Sequence, residues 1–367
     1  MKLTKVGVVG CGNISGIYLS NLAKFTDTEI LRLADLDVDR AQQVAEAQGV
    51  PRFGTVEELI NDAEIDVVLN LTVPKAHAAV NQLALNAGKH VYAEKPFAVQ
   101  REDARATLDL AQAKGLRTGA APDTFLGAGI QTCRELIDDG AIGRPIGVQA
   151  FMLCRGHESW HPSPEFYYET GGGPMLDMGP YYVTALVNLL GPIKRVTGSA
   201  QISFTERTIT SEPKAGKVVT VETPTHLSAV LDFESGAVGA ITTSFDVAAH
   251  TYPNITVFGS EGSIMVPDPN TFGGPVMMRR GNDSDWSEVP IKRPFSANMR
   301  GLGLLDMITG IRLNRPTRAS GELAFHVLDI MLAIEESSRA GQHIMLESGV
   351  PRPAIMPKDS DDNHLSE

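Results

Sequence analysis

The segment Val91-Tyr92-Ala93-Glu94-Lys95-Pro96 runs from an apolar stretch into a carboxylate, an ammonium and a proline. A lysine moves protons when burial or a neighbouring positive charge lowers its pKa from the ordinary value near ~10.4. Pro96 restricts Lys95 to extended backbone and is itself a candidate for a cis bond, which would fix the direction of the lysine. A second set lies in "GGGPMLDMGPYYVTAL", residues 171–186. Asp177 and Tyr181 are four residues apart there and face roughly the same way on a helix. Pro180 lacks an N–H, so the helix is expected to begin nearby, with Asp177 at its N-cap. A phenol titrates near ~10 and serves as a base at neutral pH only beside positive charge. The plain alternatives are a solvated lysine and a tyrosine packed in the core like Tyr182.

A third set is "RGHESWHPSPEFYYE", residues 155–169. His157 and His161 stand four apart, a spacing that would suit a metal on a helix. The prolines argue against a helix and no third ligand has matching spacing, so no metal is expected. Trp160 can stack on a sugar face and His161 can hydrogen-bond a hydroxyl. A surface loop packed on a sheet is the competing account. Asp123 and Thr124 are further candidates for substrate contact at a domain junction.

These groups need a scaffold, and the first 120 residues supply a β-α-β-α rhythm. Strands are read at 5–10, 29–35, within 56–73 after a helix, at 90–94 and near 116–121, and helices at 14–25, 38–49, 77–88 and 101–115. That alternation predicts a doubly wound α/β parallel sheet with helices on both faces. Gly10-Cys11-Gly12-Asn13-Ile14-Ser15 falls directly between the first strand and the first helix. In that setting glycines let the backbone approach a pyrophosphate, with Gly10, Gly12, Asn13 and Ile14 leading into a helix N-terminus. Asp35 ends the second strand, 23 residues after Gly12. A carboxylate there accepts both ribose hydroxyls and repels a 2′-phosphate, which favours NAD over NADP. Ligands lie outside the carboxyl ends of such strands, and Lys95 sits at one of those ends.

Past residue 125 a helix, a strand at 146–153 and alternating strands from about 194 to 291 predict an α+β domain with a large, mostly antiparallel open sheet. A helix is read at 321–341. The expected division is 1–123 for the dinucleotide domain, 124–355 for the second domain and 356–367 for a frayed polar tail. The net charge of −12 makes nucleic acid and membrane surfaces poor partners. No apolar run is long enough to span a bilayer and the start lacks a signal-peptide core. Three cysteines without metal-type spacing read as reduced thiols in a cytoplasmic protein.

The motifs "GVVGCGNIS" (7–15), "LTVPKAH" (71–77), "AGKHVYAEKPFAV" (87–99) and "GGGPMLDMGPYYVTAL" resemble, in order and spacing, the glucose–fructose oxidoreductase / inositol dehydrogenase (Gfo/Idh/MocA) family, over nearly the whole chain. The resemblance implies a Rossmann domain followed by a substrate-binding domain, with substrate between them. Separately, a broad open sheet with one exposed face is expected to find a partner, so homo-oligomerisation through the second domain is expected. It implies that Thr72, Pro74, His77 and Glu94 belong with the cofactor, and that Lys95 touches the reacting hydroxyl. Most relatives carry histidine at the position of Tyr181 and aspartate three residues later, where this chain has Thr184. A lysine–aspartate–histidine relay is therefore not intact, and either Lys95 or Tyr181 is left to take the proton while Asp177 holds substrate or orients the pair. The activity implied is NAD-dependent oxidation of a secondary hydroxyl on a sugar, polyol or related ring. The alternatives are a non-catalytic dinucleotide sensor and an NADP-dependent ketone or diol reductase.

Overall fold

Val6, Val8 and Val9 are at most 1% exposed, as a strand covered on both faces requires. They lie on β1 (Thr4–Val9) in a computed structural model that describes residues 3–361 and Leu365. The chain continues through α1 (Ser15–Leu22), β2 (Thr28–Ala34), α2 (Val38–Gln48), β3 (Arg52–Gly54), α3 (Val56–Asn61), β4 (Val67–Asn70), α4 (His77–Asn86), β5 (His90–Ala93), α5 (Arg101–Lys114) and β6 (Thr118–Ala120). The strands form one sheet in the order β3-β2-β1-β4-β5-β6, every neighbour parallel. The order reverses at β1, and the crevice at the carboxyl ends of β1 and β4 is where such sheets take a ligand. Sequence reading missed β3, an edge strand of three residues with Phe53 39% exposed, too short to show alternation.

The second sheet follows α6 (Ala128–Asp138) and β7 (Pro145–Leu153). After α7 (Gly173–Leu190) come β8 (Ile193–Gln201), β9 (Glu206–Thr208), β10 (Val218–Thr220), β11 (His226–Phe233), β12 (Val238–Ser244), β13 (Ile255–Gly259), β14 (Gly262–Val266), β15 (Val276–Arg280) and β16 (Ser287–Val289). Then α8 (Leu302–Leu313), α9 (Gly321–Ala340) and β17 (Ile344–Met345) close the chain's regular structure. The large sheet runs β16-β15-β14-β13-β7-β12-β11-β8-β17, and β9 pairs with β10 apart from it. Its pairs are antiparallel except β7 with β12, so the mostly antiparallel expectation holds, with one parallel pair that was not expected. α7 packs on β7, β11 and β12.

Two expectations about α7 are corrected. The helix starts seven residues before Pro180, with Gly172 as N-cap and Pro174 in the first turn, so Asp177 lies inside the helix and is not its N-cap. Pro180 is tolerated mid-helix because the residue before it is Gly179. A proline clashes with the Cβ of its predecessor, and Gly179 has none. A Cβ there would also lie 2.9 Å from the Met175 sulfur and 3.0 Å from that of Met331.

The compact units are not the contiguous blocks expected at 123/124 and 355/356. The first comprises the chain to Ala128 together with Arg293–Phe325 and everything from Pro353, and the second comprises Gly129–Lys292 and His326–Arg352. The reason lies in α8, whose residues from Leu302 to Gly310 are all buried and which packs beside β6. The following chain is tied in by charge. Asp306 is fully buried and accepts from Arg318 at 2.6 Å and Arg315 at 2.9 Å, and Arg318 donates onward to the carbonyls of Ala354 and Ile355. Met356 is 2% exposed, so the expected tail begins with a packed residue, and its positions 362–364, 366 and 367 lie outside the described residues.

Candidate active site

In the first unit the glycine turn has the expected shape. Gly10 has φ +102°, and a Cβ there would lie 2.6 Å from the Leu71 backbone, so no other residue fits. A Cβ on Gly12 or Gly16 would meet nothing within 4 Å, which leaves open space in front of the turn at the start of α1. Asn13 is exposed and Ile14 is half-buried as the N-cap of α1. Asp35 braces the turn: one carboxylate oxygen accepts the Cys11 N–H at 2.8 Å and the other accepts the Asp37 N–H at 3.0 Å. Arg40 approaches Asp35 only to 4.0 Å, and Leu36 is 97% exposed. Burial, then the Asp35 charge, pushes the Cys11 thiol up to about 11, so it stays protonated. The open cradle and the braced carboxylate fit an adenine dinucleotide.

Lys95 follows β5 at its carboxyl end, half-buried. The Lys95–Pro96 bond is cis. Glu94, 8% exposed, accepts the Lys95 N–H at 2.8 Å with one oxygen and the Tyr18 hydroxyl at 2.7 Å with the other. Its backbone N–H donates to the Asn70 carbonyl at 2.8 Å, which joins the ends of β4 and β5. Thr72 is half-buried and donates its hydroxyl to the Asn70 side chain at 2.6 Å, and Pro74 opens a short 3₁₀ turn beside it. His77 is fully buried, so its ring meets protein carbonyls and not a ligand. Asp123 also has a different job from the substrate contact expected of it. It is 1% exposed and accepts the N–H groups of Gly301 and Gly303 at 2.8 and 3.0 Å, holding the start of α8. Burial pushes its carboxyl up to about 6, against those two donors.

In the second unit, Asp177 and Met178 are the only residues of α7 that are not buried. A carboxylate at the one opening in an otherwise apolar helix is a functional signal. The Asp177 carboxylate lies 3.4 Å from His157 Nε2. The His157 ring sits edge-on to Trp160, Tyr167 and Phe245. Trp160 is 60% exposed. The Ser163 N–H donates to His161 Nδ1 at 3.0 Å, which places a neutral His161's proton on Nε2 as a donor. Burial lowers the pKa of His161, so the neutral ring is the form favoured. Tyr181 is 8% exposed, one helical turn after Asp177. Its neighbour Tyr182 is 2% exposed and its hydroxyl accepts from Asn254 at 2.7 Å.

The loop carrying these residues is pinned by groups that sequence reading missed. Arg207 donates to Glu158 at 2.8 Å and to Asp246, and Tyr168 donates to the other Glu158 oxygen. Lys214 and Lys217 both donate to Glu165, at 2.6 and 2.9 Å, and hold its carboxyl down to about 2. No local pattern reveals partners 39 to 52 residues apart. Among the described residues no group of three or more His, Cys, Asp or Glu side chains could hold a metal.

Residues 4–121 match the GFO/IDH/MocA oxidoreductase family with an NAD-binding Rossmann fold, and residues 130–265 match the GFO/IDH/MocA C-terminal domain. The chain is 26% identical over 360 residues to a 1,5-anhydro-D-fructose reductase of Ensifer adhaerens, covering 95% of this chain and all of the relative. It is 26% identical over 261 residues to a myo-inositol 2-dehydrogenase of Thermotoga maritima, covering 71% and 74% of the two chains. Among solved structures, a levoglucosan dehydrogenase in complex with NADH matches with a TM-score of 0.81 at 20% identity, over 95% of this chain and 100% of that one. An NAD-binding oxidoreductase from Klebsiella pneumoniae matches with a TM-score of 0.82 at 23% identity, over 94% and 99%.

Proposed function

Because this chain belongs to the Gfo/Idh/MocA family of oxidoreductases, we propose that it is an NAD-dependent dehydrogenase of a secondary hydroxyl on a sugar, polyol or related ring. The observation that carries the reading is Lys95 at the carboxyl end of β5, in the same sheet as the open glycine turn. Relatives named for 1,5-anhydro-D-fructose and myo-inositol support the substrate class.

The turn at Gly10, Gly12, Asn13 and Ile14 receives the pyrophosphate, Asp35 receives the adenosine ribose, and Thr72, Pro74 and Glu94 border the rest. Bound NAD supplies the hydride acceptor. One group takes up the hydroxyl proton as hydride leaves, either Lys95 as its neutral amine or Tyr181 as its phenolate. Asp177, beside His157, accepts a hydrogen bond from a neighbouring hydroxyl and orients the ring. Trp160 covers an apolar face of the substrate and His161 Nε2 donates to another hydroxyl. Asp35 repels a 2′-phosphate and sets NAD above NADP.

We also propose that copies associate through the open face of the large sheet. Val230 opposes Ala240, which opposes Gln149, and Val230 and Val238 are 44% and 52% exposed. Light scattering on the wild type and on Val230→Asp tests this. A monomeric wild type would end it.

The enzymatic reading is tested by following the near-ultraviolet absorbance of reduced nicotinamide with NAD and a panel of sugars and polyols. Turnover with at least one of them is expected. An enzyme that binds NAD tightly and reduces none across the panel would overturn it.

A further inference from the structure

Both ring nitrogens of His77 end on carbonyl oxygens: Nδ1 lies 2.7 Å from that of Pro96 and Nε2 lies 2.8 Å from that of Thr72. A carbonyl only accepts, and a neutral imidazole has one N–H. In the neutral ring one contact would set a lone pair against a lone pair at hydrogen-bond distance. Only the imidazolium donates to both. The two oxygens belong to different loops, one after β4 and one immediately after Lys95. Lys95 is thus flanked by two grips, Glu94 on its own N–H at 2.8 Å and His77 on the next residue's carbonyl.

We infer that His77 is a positioning residue for Lys95 and acts as a proton-dependent clamp. Protonated, it ties the Lys95–Pro96 turn to the loop after β4. Neutral, it releases one of the two carbonyls. The inference rests on the reading of Lys95 as a catalytic group.

The charged groups that bear on the ring are Glu94, which favours the cation, and Lys95, which disfavours it. The neighbours on β4 and α4 are uncharged: Asn70 donates to the His77 carbonyl at 3.0 Å and to Asn81 at 2.8 Å. Burial has the largest effect and lowers the ring's pKa below 6.5, against the two carbonyls. The clamp is therefore closed on the acid side and opens as pH rises through the ring's midpoint.

The test is NMR of the isotope-labelled, NAD-bound enzyme between about pH 5 and 8, reading the His77 ring nitrogens and the amides of Val73, Phe97 and Ala98. The ring should pass from two protonated nitrogens to one, and the amides should move with the same midpoint. In His77→Gln, which can bridge one carbonyl, that amide transition should vanish. The ratio of wild-type to His77→Gln kcat should be about tenfold below the midpoint and shrink to about twofold above it, as misplacement of one catalytic group predicts. A ring held in one state throughout, or amides that do not follow it, would overturn the clamp. The wild-type titration needs neither a variant nor a substrate, so it reads the clamp even if no sugar is oxidised.

Discussion

Lys95 and Asp177 are held by opposite means. Lys95 stands on a turn, and two side chains grip the backbone there: the Glu94 carboxylate accepts the Lys95 N–H and the His77 ring meets the carbonyl of Pro96. Asp177 stands on a rigid helix whose other residues except Met178 are buried. The group beside it, His157, comes from a loop pinned by Arg207, Asp246, Lys214 and Lys217. The first arrangement is the nearer in sequence, with Glu94 adjacent to Lys95 and His77 19 residues from Pro96. The second is assembled from distant side chains through ion pairs. Damage to the first should therefore be chemical, and damage to the periphery of the second should be graded and dependent on pH and salt.

The sharpest break comes at Lys95 itself. Lys95→Met keeps most of the side-chain volume and removes the ammonium, and kcat should fall about 10³-fold or more while NAD affinity stays within a few fold. Stopped-flow turnover and a nucleotide titration measure the two separately. Turnover near the wild-type value would end the role of Lys95.

The adjacent tyrosines of α7 sharpen the other side. Tyr181→Phe removes only a hydroxyl, and kcat should drop about 10²-fold, with KM changing less, if the phenol shares the proton. Tyr181→His should recover part of the rate, with the profile moved toward lower pH because imidazole titrates below phenol. Tyr182→Phe is the control. It strands the Asn254 amide and should cost about 1 kcal/mol of stability, with kcat within about twofold. Equal kcat losses in both phenylalanine variants would make Tyr181 a packing residue.

The contrast between local and assembled sites also explains what was legible in the sequence. Gly10, Gly12, Asp35 and Lys95 were readable because each sits at a fixed place relative to a strand end, and strands covered on both faces announce themselves as β-branched runs. The position of His77 was readable but its burial was not, because nothing local says that a helix-start histidine will be sealed from solvent. Asp123 was misread for the same reason: its partners Gly301 and Gly303 are 178 and 180 residues away. α8 escaped because burial on all sides removes the polar stripe that marks an amphipathic helix. Asp177 was placed at a helix start by Pro180, and the missing Cβ of Gly179 was the clue that the helix could run through. The ion pairs of the aromatic loop had no local sequence signature at all.

At Asp35 the local site carries two duties, and two substitutions divide them. Asp35→Ser should weaken NAD by about 10–100-fold, the equivalent of losing ~1–3 kcal/mol of hydrogen bonding, and should raise relative binding of NADP. Part of that loss comes from the glycine turn, since the Asp35 carboxylate also holds the Cys11 N–H. Asp35→Asn keeps an acceptor for that N–H and removes the charge. It should shift the NAD-to-NADP ratio as Ser does while losing less NAD affinity. Paired fluorescence titrations decide this, and a wild type that already prefers NADP would refute the assignment.

The smallest effect is expected at the outer pin of the aromatic loop. Glu165 pairs with Lys214 and Lys217, and those two ammonium groups lower its carboxyl to about 2 from 4.5. Because its pKa is lower in the folded chain than in the unfolded one, the pair's contribution is fully present above about pH 4.5 and is lost as pH falls from there toward 2. The pair lies near the surface, so the contribution is modest and screened. Glu165→Gln should lower Tm by about 1–2 °C near neutral pH. The gap should narrow below pH 4.5, as the wild-type carboxylate takes up its proton, and should narrow in high salt at neutral pH as well. Calorimetric scans across pH and salt read both trends. KM should rise before kcat falls, because the loop carries Trp160 and His161 and not Lys95. A gap that stays constant from neutral pH into the acid range would show that Glu165 acts through packing, and the electrostatic account of how this loop is pinned would fail there.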